Sequence, residues 1–117
     1  VESYDLQRLL QPYEKLALSA YDNLKLIRAL LSDQGESCDC LTLPRIREEN
    51  EVRDGYFIRW QGVWIDCGWT NDYSARIELV APPSEQAQLA ASVVSVPTLS
   101  LQQVSFMCMQ YSHFDHC

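Results

Sequence analysis

Between residues 3 and 32 apolar side chains recur every three or four positions, through Leu6, Leu9, Leu10, Tyr13, Leu16, Ala20, Leu24, Ile27 and Leu31. That spacing predicts one stripe of an amphipathic helix over 1–34, with Asp5, Arg8, Glu14, Lys15, Asp22, Lys25 and Arg28 mostly on the wet side. Gly35 supplies a stop. Pro12 removes a backbone donor inside the stripe and predicts a bend or restart there. At ~1.5 Å per residue such a helix runs roughly 40 Å, more than a chain of this size needs to cross its own core. Leu16, Leu24 and Ile27 are therefore expected beneath a sheet, while the first turns, with Tyr4 and Leu6, project beyond it.

After the helix the period changes. Residues 35–54 hold no sustained pattern and end in a charge-dense stretch, which reads as a long connecting loop with a short Leu41/Leu43 segment. From Gly55 the alternation is two-fold, through Tyr56, Ile58 and Trp60, then Val63, Ile65 and Cys67, then Tyr73, Ala75, Ile77 and Leu79. Pro82 and Pro83 end that run, and Thr98–Leu101 with Val104–Cys108 read as the last strand or two. The expected fold is α+β, one domain over 1–117: a long N-terminal amphipathic helix packed on an antiparallel sheet of about four strands spanning 55–108, then a C-terminal loop over 108–117.

Sixteen acidic residues against nine basic ones give a formal charge of −7, and no Lys or Arg follows Arg76. Arg45, Arg47, Arg53 and Arg59 are interleaved with Glu48, Glu49, Glu51 and Asp54, which largely cancels their field. Duplex DNA binding is not expected, because capture of phosphates needs uncompensated cations. No apolar run approaches the ~20 residues of a spanning helix, and Val1 opens no signal-peptide pattern, so any export signal or membrane anchor is expected to lie outside this sequence. Five cysteines in 117 residues point to an oxidising compartment and a disulfide framework, and an odd number leaves one thiol unaccounted for.

The helix with its internal Pro12, the strand GYFIRWQG (Gly55 to Gly62), SARIELVAPP (Ser74 to Pro83), the loop with Gln86 and Gln88, TLSL (Thr98 to Leu101) and VSFMC followed by MQYSHFDHC together resemble the head domain of a type IV pilin, and more closely a minor pilin. The turn between TLSL and VSF departs from the family in lacking a Gly. The resemblance implies a subunit of an extracellular filament, assembled from the periplasmic side of the inner membrane. Its partners would be other pilin subunits along the N-terminal helix, with a membrane contact only through a preceding hydrophobic half-helix, and a surface or carbohydrate ligand as a further partner. It also implies that Cys108 and Cys117 bound a C-terminal disulfide region. A pilus-associated DNA receptor is a known role of some minor pilins, and the charge pattern argues against it here.

Read from the residues themselves, Cys108-x8-Cys117 could close a loop displaying Tyr111, His113 and Phe114, either as a plain staple or as a recognition loop. Cys67 is expected to bond to Cys38 or Cys40, with the choice open and the remaining thiol left over. Cys38-x-Cys40 with His113-x-x-His116-Cys117 has the residue types of a zinc or copper site without the familiar spacings, so no metal is expected. No nucleophile, phosphate-loop or metalloprotease motif occurs, and neither a catalytic residue nor a cofactor site is expected. Trp60, Trp64 and Trp69, with Asp66 between the last two, resemble a sugar-binding platform, set against ordinary core packing. The alternative to a filament subunit is therefore a freestanding secreted binding or inhibitor protein using that cluster.

Overall fold

The computed structural model describes residues 3–48, 51–73 and 75–111. Where the apolar stripe predicts one long helix, the chain forms two. Helix α1 spans Ser3–Leu10 and runs into a 3-10 turn at Gln11–Tyr13, and α2 spans Ala20–Asp33. Pro12 accounts for the first break, since α1 cannot donate at that position. The restart is set by Ser19, whose hydroxyl accepts from the Asp22 N–H at 3.1 Å and caps α2. The intervening segment is held from outside: Ala20 N–H donates to the Asp72 carbonyl and Ala75 N–H to the Leu18 carbonyl. With both ends fixed, the stripe serves two short helices that fold against one core.

This corrects the expectation of a long helix packed on the sheet. No long helix lies there, and α1 does not project. Leu6 is 2% and Leu10 1% exposed, as covered as Leu24 and Ile27 on α2, while Leu16 is only half-buried.

The sheet has five antiparallel strands, β1 (Asp39–Glu48), β2 (Glu51–Trp60), β3 (Val63–Trp69), β4 (Glu78–Val80) and β5 (Ser92–Val93), in the order β4-β3-β2-β1-β5. The stretch 35–54, expected as a loop, holds all of β1 and the start of β2. Its charges hid a two-fold alternation in which Leu41 and Leu43 go to one face and Cys40 to the other. Pro44 is tolerated because β5 covers β1 only at Leu41 and Thr42, leaving the rest as an edge. Gln61 and Gly62 make the β2–β3 turn with φ of +49° and +79°, the two-residue hairpin geometry. The third expected strand, Tyr73 to Leu79, shrinks to Glu78–Val80, since the chain before it is engaged with the α1–α2 connection.

Helix α3 spans Glu85–Leu89, and α4 spans Leu101–Tyr111. The latter overturns the expected strand at Val104–Cys108. Ser100 Oγ accepts from Gln103 N–H while Gln103 Oε1 accepts from Ser100 N–H, a reciprocal cap that starts the helix. Val104, Met107 and Cys108 then point inward together at helical spacing. The larger core lies between one sheet face and helices α1, α2 and α4, and includes Leu24, Ile27, Ile58, Ile65 and Cys67. A second cluster of Leu41, Leu43, Phe57 and Trp64 occupies the other face, packed against Val80 and the α3 segment through Ala87 and Ala91.

Candidate functional site

Register decides the fate of the tryptophans. Trp60 pairs with Val63 while Trp64 pairs with Arg59, so Trp60 belongs to the face carrying Ile58 and Ile65, whereas Trp64 and Trp69 belong to the other. The three do not form one cluster. Trp64 is 3% exposed and packs edge-on to Phe57, with ring centroids 6.3 Å apart. Trp69 is half-buried, but the Arg45 guanidinium lies 3.7 Å from its ring centroid. Arg45 also pairs with Asp66, whose other oxygen accepts from Gly68 N–H at 2.8 Å. A sugar platform needs a bare ring and an available carboxylate. Here Arg45 covers the ring and takes the carboxylate, and Arg59, bonded to Asp39 at 2.9 Å, sits near Trp64. Gly55 permits this arrangement, since a Cβ there would meet Arg45 Cδ at 2.8 Å. Trp64, Asp66 and Trp69 thus form a packed ion-pair assembly, which is a structural use of the motif.

The other expected recognition residues fall largely outside the described chain. His113, Phe114, His116 and Cys117 lie beyond it, and Tyr111 is its last residue. Cys108 is buried on α4, and the expected Cys108–Cys117 bond lies outside the described residues. Among the described residues no three His, Cys, Asp or Glu side chains gather as a metal site, and no helix is long and apolar enough to cross a membrane.

Cys38, Cys40 and Cys67 are thiols. Cys40 lies opposite Ile58 on β2, and Cys67 is the extra residue of a bulge on β3, so β2 runs between them. Two strand spacings put β1 and β3 roughly 10 Å apart, beyond the ~4.4–6.8 Å between Cα atoms that a disulfide spans. The expected bond from Cys67 to Cys38 or Cys40 would need the sheet to open. Cys38 and Cys40 are the closer couple. Hydrogen bonding between their sulfurs raises the Cys38 thiol far above its ordinary range and lowers Cys40, and the Arg28 charge favours the thiolate at both.

Burial, then the neighbouring Asp66 charge, pushes the Cys67 thiol well above an ordinary one. In the unfolded chain the same thiol ionises near ~8.5. Above that pH the unfolded state releases a proton that the folded state keeps, so the stability contributed by protonated Cys67 is present below ~8.5 and is lost as pH rises. The urea midpoint of the reduced chain is expected to fall between about pH 8 and pH 10, and Cys67→Ala to flatten that slope. An unchanged slope in the variant would show Cys67 to be solvated.

A cleft of about 610 Å3 opens where α1 meets the end of α2. Asp5, Leu6, Arg8 and Leu9 line one side, Leu31, Gln34 and Glu36 the other, and Trp60 contributes the aromatic wall. Trp60 is 2% exposed, yet its Nε1–H finds no acceptor among the described residues. A buried donor left unpaired costs about 1–3 kcal/mol. Glu36 accepts from Gln61 Nε2 at 2.9 Å, which fixes the rim beside the hairpin turn. The cleft combines apolar leucine walls, the edge of Trp60 and a rim with two carboxylates to one guanidinium. No sequence motif announces it, because its residues come from three separate segments. No family model, curated protein or solved structure matches the chain.

Proposed function

We propose that this chain is a non-catalytic binding module whose cleft between α1 and α2 takes a small apolar ligand, neutral or cationic, bearing a carbonyl acceptor, in the manner of a short apolar peptide. The observation that carries this reading is Trp60, which lines a cleft of ligand size and whose indole N–H, enclosed in the fold, has no acceptor among the described residues. Apolar groups would fill the space between Leu6, Leu9 and Leu31, and a ligand carbonyl would recover the unmade hydrogen bond where a small turn of the Trp60 ring brings its N–H to the cleft surface. Asp5 and Glu36 outnumber Arg8 at the rim, and the chain carries −7 overall, so anions are disfavoured.

The filament reading rests on the resemblance to a minor pilin, and the cover over Leu6 and Leu10 within the chain removes only the expectation of a projecting helix face for neighbouring subunits. Calorimetric titration with L-leucinamide, which has an amine, a carbonyl and an isobutyl group, tests the binding reading. Trp60→Phe keeps an aromatic ring and deletes the N–H, and is expected to weaken binding about tenfold, the loss of one hydrogen bond of ~1.4 kcal/mol. Equal affinity in wild type and variant, or no heat in either, would overturn it.

A further inference from the structure

Among the nucleophilic groups, the Cys38-x-Cys40 couple stands apart from both the cleft and the aromatic face. Residues two apart at the entry to a strand share a face, and their Cα atoms lie ~6.6 Å apart at ~3.3 Å per residue, the upper end of disulfide geometry. Cys40 is buried and Cys38 half-buried, so the couple is approached past Cys38. Arg28 projects from α2 toward this corner, and its Nη1 donates to the Val96 carbonyl, which anchors the guanidinium. Of the other two buried thiols of this core, Cys67 is held away by β2 and Cys108 sits on α4.

We propose that Cys38 and Cys40 are a redox-active dithiol, oxidised by hydrogen peroxide to a disulfide within the motif, with Cys40 as the attacking thiolate and Cys38 as the resolving thiol. Cys40 Sγ attacks one peroxide oxygen, the O–O bond breaks, and hydroxide leaves; Cys40 becomes a sulfenic acid. Cys38 Sγ then displaces the sulfenic hydroxyl, which leaves as water with the Cys38 proton, and the S–S bond forms. Two electrons pass from the two sulfurs to the peroxide. The hydrogen bond from the Cys38 thiol, and then the Arg28 charge, favour the Cys40 thiolate, the reactive form, against the opposing effect of its burial. The strain of a bond between residues two apart makes it easy to reduce again, as a reversible switch requires.

The test uses the full chain, fully reduced and freed of reductant, treated with hydrogen peroxide, alkylated and digested with trypsin. Cleavage after Arg28 and Arg45 puts both cysteines on the peptide 29–45, and cleavage after Arg59 and Arg76 puts Cys67 on 60–76. The expected result is that 29–45 becomes lighter by two hydrogens and resistant to alkylation at least about tenfold faster than Cys67 is consumed. Cys38→Ser keeps a hydrogen-bond donor but loses the resolving thiol, so Cys40 should accumulate as a sulfenic acid trapped by dimedone; Cys38→Ala, lacking both, should react about tenfold more slowly. Equal rates at all thiols, a 29–45 peptide linked to 60–76, or sulfenic acid forming at Cys38 as fast in Cys40→Ser would overturn the assignment.

Discussion

Gly68→Ala should destabilise the fold by about 3–5 kcal/mol, combining a left-handed backbone with a severe overlap. Gly68 has φ +118°, and a Cβ there would stand 2.4 Å from the Ala75 Cβ and 3.1 Å from the Ala20 Cβ. Neither neighbour is placed to retreat. Ala75 N–H is bonded to the Leu18 carbonyl at 3.0 Å and Ala20 N–H to the Asp72 carbonyl at 2.9 Å, so moving either breaks the clasp that holds the start of α2 to the end of β3. Domains of this size have only about 5–15 kcal/mol of net stability. Urea denaturation gives the value, and a loss below about 1 kcal/mol would mean that α2 and β3 do not approach as closely as described.

Leu6→Ala and Leu24→Ala should each cost about 2–5 kcal/mol, with Leu6 toward the lower end because it borders the cleft and its site can admit solvent. Both side chains are buried, one on α1 and one on α2. Were α1 to extend away from the domain, Leu6 would be an exposed helix residue and its loss would fall within about 0.5 kcal/mol. The pair of denaturation midpoints therefore separates a folded-back α1 from a projecting one.

How far the sequence announced this fold differs from element to element. The stripe correctly put Leu24 and Ile27 in the core, yet periodicity alone cannot say whether a break at Pro12 is a kink or a gap. The cap at Ser19 and the clasp to Asp72 and Ala75 decide that, and the clasp is a tertiary contact. Strand β1 was masked because Arg45, Arg47 and Glu48 make its far end look like a solvated loop, although Leu41 and Leu43 already alternated. Helix α4 is legible in the sequence: Ser100-x-x-Gln103 is a capping-box pattern, and Val104, Met107 and Cys108 follow at helical spacing. Alternation also separated Trp64 from Val63 and Ile65. It could not show that Arg45, from a different strand, would occupy Asp66 and cover Trp69. The cleft was out of reach for the same reason, since Leu6, Leu31 and Trp60 meet only once α1 has folded back.

The proposed binding role of the α1–α2 cleft is tested most directly at the Trp60 indole. In a 15N-labelled sample the three indole N–H signals, from Trp60, Trp64 and Trp69, are assigned by substituting each with Phe and then followed during titration with L-leucinamide. The account predicts that the Trp60 signal moves in a saturable way, in the direction of a newly formed hydrogen bond, while those of Trp64 and Trp69, on the opposite sheet face, stay in place. A Trp60 signal unmoved at saturating L-leucinamide, or a saturable shift confined to Trp69, would contradict it.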